Sequence, residues 1–324
     1  MGRAGIFAWN PKGLDKAENK GLKGFRGFDK NPWQRRAKGS AALPGSRELP
    51  LGGGFQMMRV YRFFLGILAL ALFICGTAAW AAEEAAVPVL CYHRFGPTKA
   101  DSMTVTTPVF EAQMKWLKDN GYTVIPLRTL VNYLRGEGPA PPPKSVVLTA
   151  DDAHKTVYRD MWPVVRKYNM PVTLFIYPSC VSNPRAPYAM TWEQLQELKN
   201  TGLFDMQSHT LWHPNFKKDK KKLTPQAYQK LVSEQLTKSK AILEKKFGTK
   251  VDLLAWPFGI YDDELEKEAA KAGYVAAFSI DRRHACKAEP MMAQPRYLMA
   301  NGDGIKNFAA IIEGRAQEKG HKTY

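Results

Sequence analysis

From Val87 onward, short apolar runs alternate with stretches whose apolar residues recur every three or four positions. "VPVLCYHRF" (Val87–Phe95) predicts a buried strand that ends in polar residues. "TPVFEAQMKWLKDNGY" follows, with Phe110, Met114 and Leu117 on one helical face. Thr107 is its candidate cap, Pro108 suits the first helical position and Asn120-Gly121 is the stop. "YTVI" predicts a short strand, "LRTLVNYLRG" a short helix and "GEGPAPPPKS" a stiff proline-rich loop.

The alternation then becomes regular. "SVVLTA", "PVTLFIY", "LFDMQS", "VDLLAWP" and "YVAAFSI" predict strands. Between them lie predicted helices at His154–Tyr168, at "TWEQLQELKNTG" with a Thr-x-x-Gln capping box, at Pro225–Phe247 with Thr224 as cap, and at "DDELEKEAAKAG". "KNFAAIIEGRAQ" reads as a last helix and Lys217–Lys222 as a solvated loop. Such alternation means a parallel sheet covered by helices. No Gly-x-Gly-x-x-Gly follows any strand, so a (β/α) barrel is preferred to a dinucleotide-binding fold.

Composition adds a compartment. The 324 residues carry a formal net charge of +17, and 45% are hydrophobic, enough for a substantial core. Residues 1–56 hold 11 Lys/Arg against 4 Asp/Glu, so much of the excess lies in a basic leader without periodicity. No zinc-finger spacing or aromatic RNA-binding stretch is present, which argues against nucleic acid. Residues 57–82 have Arg59 and Arg62, then the apolar run Phe63–Cys75, then the small-residue site "AWA". That order predicts a signal peptide, with translation starting at Met57 or Met58 and the leader disordered or a gene-model artefact. The mature chain, 83–324, is then exported to the periplasm or beyond. There its surplus charge permits peripheral contact with an anionic envelope. Cys91, Cys180 and Cys286 remain, allowing one disulfide at most.

Polar residues gather at the predicted strand ends: His93, the pair Asp151–Asp152, the pair His209 and His213 in "HTLWH", and "PFGIYDD". In a parallel barrel these ends share one mouth. His209 and His213 are four apart, one helical turn, with Pro214 ending that turn. Two imidazoles and a carboxylate make a three-ligand set that leaves positions open for water. Two adjacent aspartates repel unless a cation sits between them, so one is expected to bind the ion and the other to stay free as a base.

At these residues the sequence resembles the polysaccharide deacetylases of carbohydrate esterase family 4, near the secreted branch acting on poly-N-acetylglucosamine. "TADDA" (Thr149–Ala153), "HTLWH" and "WPFG" (Trp256–Gly259) stand in the order of that family's motifs, and the likeness runs from Val87 to Met299. The resemblance implies a distorted (β/α)7 barrel with a single catalytic domain. It assigns Asp151 as general base, Asp152, His209 and His213 as metal ligands, and the Phe258 backbone N–H as oxyanion donor. The implied cofactor is one divalent ion, Zn²⁺ by ligand type, with Co²⁺, Fe²⁺ or Ni²⁺ also suited. The implied partner is an N-acetylated polysaccharide, from which acetate is released.

Four positions depart from the pattern. Ala150 replaces Phe. Ala153 replaces Gly, so its turn should avoid strongly positive φ. Ala255 replaces the arginine that steadies the base, and the late Leu-x-His that supplies the acid is missing, leaving His284 and His93 as candidates. Trp212, Trp256 and Tyr261 could stack on sugars. These departures keep two alternatives open: a non-catalytic carbohydrate-binding barrel, and a related amidase on peptidoglycan, chitin oligomers or a small amide.

Overall fold

The strand Ser145–Asp151 lies inside the sheet, paired on both sides. The computed structural model describes residues 84–99, 101–302 and 304–316. Its strands are β1 (Val89–Tyr92), β2 (Arg94–Gly96), β3 (Thr104–Thr106), β4 (Thr123–Val124), β5 (Ser145–Asp151), β6 (Val172–Ile176), β7 (Phe204–Ser208), β8 (Leu253–Ala255), β9 (Ala276–Phe278) and β10 (Tyr297–Leu298). The main sheet runs β10-β1-β5-β6-β7-β8-β9, with β4 added against the start of β5. Every pairing in it is parallel. The sheet curls: Gln294 bridges Phe278 of β9, and a few residues later Tyr297 and Leu298 pair with Leu90 and Cys91 of β1. One segment therefore touches both edges. This is the distorted (β/α) barrel expected, with seven strands on its path among the described residues. The expected strand at "YTVI" lies off that path, and β10 supplies the seventh. Two residues of β10 are too few to register as an apolar run.

Strand periodicity decides which side chains enter the barrel. Leu148 and Ala150 of β5, Leu90 of β1 and Leu174 of β6 pack with the outer helices. Val89, Val147, Phe175, Leu253, Ala255, Ala276 and Phe278 form the inner cluster instead. Residues Leu127, Leu130, Val131 and Leu134, all from the helix Leu127–Leu134, join that inner cluster. Counting in twos from Val147 puts Thr149 and Asp151 on the inward face, Asp151 at the C-terminal rim.

Most predicted helices form with the expected ends. Thr191 and Gln194 complete the capping box, Thr224 caps Pro225–Phe247, and Gly248 closes that helix at φ 63°. Three details differ. Thr106, not Thr107, precedes the helix Thr107–Asp119, and its side chain makes no capping bond. Lys217–Lys220 belong to a five-residue helix, Phe216–Lys220, opened by Asn215, whose side chain accepts from the Lys218 N–H. The stretch after His154 contains a π-turn, Val157–Met161, before Trp162–Tyr168. Cys91, Cys180 and Cys286 are all free thiols. The expected leader 1–56 and signal peptide 57–82 lie outside the described residues. No described helix is long and apolar enough to cross a membrane.

Candidate active site

The parallel sheet delivers Asp151 from β5, His209 from the end of β7 and His93 from the end of β1 to one rim. Asp152 follows β5 in left-handed backbone (φ 71°), and Ala153 follows it at φ 49°. Ala153 was expected to avoid strongly positive φ, and its φ of 49° instead lies in the left-handed region. The strain, about 1 kcal/mol or more per residue, is held by burial of Ala153 and by its carbonyl, which accepts from the Met190 N–H at 2.9 Å. Thr210, His213 and Phe258 also have φ near 60°. Five of the eight described non-glycine residues with positive φ therefore sit in this one set of loops, a clustering that marks functional loops rather than random strain.

The turn expected to join His209 and His213 is not helical. Positive φ at Thr210 and His213 folds a tight loop instead. Gln235 of the long helix accepts from the Leu211 and Trp212 N–H groups, each at 3.1 Å, and Thr210 Oγ1 accepts from the His213 N–H at 3.2 Å. The loop still brings both imidazoles to Asp152: Asp152 Oδ1 lies 3.7 Å from His209 Nε2 and 3.8 Å from His213 Nε2. Three donor atoms from these residues lie within 4.8 Å of one another.

The chemistry of this set fits a divalent ion. The Ala255 carbonyl can only accept, so the 2.8 Å contact with His209 Nδ1 puts the proton on Nδ1 and leaves the Nε2 lone pair facing Asp152. Burial drives the His209 pKa down to about 3 and lowers that of His213, so both rings are neutral donors at neutral pH. Burial, with the like charge of Asp151 added, raises the Asp152 pKa. A cation would relieve that cost. Two ligands about 2.0–2.1 Å from a tetrahedral zinc lie somewhat closer together than these pairs, so small side-chain adjustments suffice.

Asp151 is held differently. Burial alone would raise its pKa, but the guanidinium of Arg296 and then His209 hold it well below the usual carboxylate range. Arg296 Nη1 donates to Asp151 Oδ1 at 2.9 Å and to Thr149 Oγ1 at 3.1 Å, while Nη2 donates to Asp151 Oδ2 at 2.8 Å. Its Nε donates to the Ser279 carbonyl at 3.0 Å, and its guanidinium lies over the Phe175 ring. Nothing in the sequence pattern marks Arg296 as a partner of Asp151. The only trace is one basic residue inside the apolar stretch "PRYLM". From β10's approach it grips the carboxylate of Asp151, where the resemblance leads one to expect an arginine at position 255.

The remaining candidates divide. His93 is buried at the rim, its Nδ1 3.8 Å from Cys91 Sγ, and Cys91 Sγ donates to Asp151 Oδ2 at 3.3 Å. Burial lowers the His93 pKa. His284 is engaged elsewhere: its Nε2 donates to the Ile311 carbonyl at 2.8 Å and its ring abuts Tyr297. Trp256 is core, 1% exposed, with its indole N–H donating to the Met292 carbonyl. Tyr261 donates to Asp281, and Trp212 is exposed. Phe258 sits in the turn Pro257–Gly259, and its ring lies 4.4 Å from the His213 ring. Its backbone N–H has no acceptor among the described residues.

Comparison with known proteins agrees with this geometry. Residues 138–277, which contain both aspartates, both histidines of the cluster and Phe258, match the polysaccharide deacetylase family. YxkH of Bacillus subtilis (strain 168), classed with the polysaccharide deacetylases, is 31% identical over 240 residues, covering 73% of this chain and 80% of its own. The poly-beta-1,6-N-acetyl-D-glucosamine N-deacetylase of Staphylococcus epidermidis is 27% identical over 226 residues, 69% of this chain and 77% of its own. In fold, the Streptococcus pyogenes deacetylase PplD superposes with a TM-score of 0.63 at 22% identity, over 71% of this chain and 99% of its own. The chain belongs to the polysaccharide deacetylase family, whose members are metal-dependent enzymes that hydrolyse N-acetyl groups.

Proposed function

We propose that the chain removes N-acetyl groups from an N-acetylglucosamine polysaccharide, releasing acetate, with Asp152, His209 and His213 holding one Zn²⁺ and Asp151 as general base. The carrying observation is the division of labour between the adjacent aspartates: Asp152 faces two neutral imidazoles, while Asp151 is turned inward and clamped by Arg296. The ion's contribution when bound is Lewis acidity and a lowered pKa for water.

The chain's own groups carry the proton traffic. Arg296 keeps Asp151 ionised, so it is ready to take a proton from the attacking water. The Phe258 N–H donates to the oxyanion that develops as water adds to the acetyl carbon. The C–N bond then breaks, and His93 is the imidazole available at the rim to hand a proton to the departing amine. Burial lowers the His93 pKa, so a proton taken up there is readily passed on to the amine. The glycan preference follows the Staphylococcus epidermidis relative, whose name gives poly-beta-1,6-N-acetyl-D-glucosamine. Export through residues 57–82 belongs to the same reading.

The test is acetate release from defined β-1,6-linked N-acetylglucosamine oligomers, with metal content measured on the same sample. Release that requires the ion and is lost in Asp151→Asn supports the proposal. Oligomer binding without release at any ion would favour a carbohydrate-binding barrel, and release only from peptidoglycan or chitin fragments would move the substrate.

A further inference from the structure

Five large hydrophobic side chains are exposed among the described residues, and three of them are aromatic: Tyr188 at 39%, Trp212 at 43% and Phe258 at 52%. They follow β6, β7 and β8 in turn, three adjacent strands of the sheet, so they occupy the same rim as the aspartates. Adjacent strands lie about 4.8 Å apart, so the three strand ends from which these loops depart span roughly 10 Å.

Two of the rings are tied to the candidate ion site by contact, and the third by its place in the chain. The Phe258 ring contacts the His213 ring at 4.4 Å, and Trp212 precedes His213 in the chain. Tyr188 exchanges a 2.9 Å hydroxyl contact with Tyr177, whose ring is 5.5 Å from that of His213. Tyr188 also stacks on the His154 ring at 5.9 Å, which fixes its plane.

Stability does not account for them. Phe258 combines left-handed backbone (φ 59°, ψ 11°) with an exposed ring, two unfavourable features in one residue. The neighbouring Trp256 and Tyr261 are satisfied by burial or hydrogen bonding, as packing residues should be. An arc of open aromatic faces beside a polymer-processing centre suits a ligand with apolar C–H faces and hydroxyl edges. A pyranose ring has both.

We infer that the side chains of Tyr188, Trp212 and Phe258 form a stacking track for the sugar rings that flank the unit being deacetylated. The inference rests on the proposed glycan chemistry and deepens it: the enzyme reads chain length, and binding energy comes from neighbouring sugars as well as from the acetyl group. The Phe258 side chain thereby has a role separate from its backbone N–H.

The experiment measures calorimetric Kd and steady-state acetate release on N-acetylglucosamine oligomers from dimer to hexamer. The proteins are wild type, Trp212→Ala, Tyr188→Ala and the conservative Trp212→Phe. In the wild type, Kd and KM should fall with length. Either alanine variant should raise hexamer Kd and KM about five- to tenfold, with the effect on KM rather than kcat, and Trp212→Phe should recover most of the loss. Equal hexamer affinity in wild type and both alanine variants overturns the track even where acetate is released. Aromatic-dependent hexamer binding without acetate release would leave the track standing and defeat the hydrolase reading.

Discussion

Arg296 and Asp151, 145 residues apart, meet inside the barrel through two parallel hydrogen bonds, Nη1 to Oδ1 at 2.9 Å and Nη2 to Oδ2 at 2.8 Å. Arg296 is fully buried and Asp151 is 2% exposed. Removing one partner of such a pair strands the other charge, at a cost of about 3–5 kcal/mol. Arg296→Ala should therefore lower the melting temperature by roughly 6 °C or more. The double variant Arg296→Ala/Asp151→Asn should regain part of that loss, because no unpaired carboxylate remains. A double variant no more stable than Arg296→Ala alone would show that the loss comes from missing volume, not stranded charge.

The two aspartates should separate cleanly by metal content. Asp151→Asn should retain the bound ion while acetate release falls about 10²–10⁴-fold, the range of a lost general base. Asp152→Asn should lose the ion itself, since Oδ1 of Asp152 is the carboxylate atom facing both imidazoles. Elemental analysis of the two purified variants beside their rates decides this. Ion loss in Asp151→Asn with retention in Asp152→Asn would reverse the assignment.

The sequence carried the chemistry of this site further than its shape. Asp151, Asp152, His209 and His213 were legible because rare residue types ended predicted strands. The loop that joins the histidines was not, because Thr210 and His213 take positive φ with no glycine to announce it. Ala153 misled for the same reason: tertiary contacts override its local preference. Arg296 was hidden by topology. Its partner lies in another part of the chain, and the strand it approaches is two residues long. Trp256 and Trp212 show the converse limit, since residue type alone could not tell the buried indole from the exposed one.

Acid should weaken the metal-free protein through its buried imidazoles. His209 has its pKa driven down to about 3 by burial, and burial also lowers those of His213 and His93. Below the ordinary histidine value of about 6.5, the unfolded chain takes up protons that the folded chain refuses. Stability from these groups is therefore complete above that value and declines as pH falls towards 3. Asp152, with its raised pKa, acts in the opposite sense and softens the slope. Urea midpoints measured from pH 7 down to pH 4 on chelator-treated protein should fall, and His209→Gln should flatten the curve. Parallel curves for wild type and variant would remove His209 from the account.

Gly259 controls the direction of the proposed oxyanion donor. Phe258 and Gly259 are consecutive left-handed residues, at φ 59° and 68°, directly after Pro257. A Cβ on Gly259 would lie 2.5 Å from Ile280 Cγ1 and 3.1 Å from Cδ1, so Ile280 or the turn must move. Two costs combine in Gly259→Ala: the left-handed penalty of about 1–2 kcal/mol and overpacking of about 1–3 kcal/mol. Shortening the neighbour in Gly259→Ala/Ile280→Ala relieves the second cost and leaves the first. Any rotation of the turn swings the Phe258 N–H away from the developing charge, an interaction made chiefly in the transition state. The single variant should thus lose kcat more than KM, and the double variant should recover part of both melting temperature and kcat. Recovery of melting temperature with no recovery of kcat would mean that the turn returns to its place without restoring the donor, and the role given to the Phe258 N–H would have to be withdrawn.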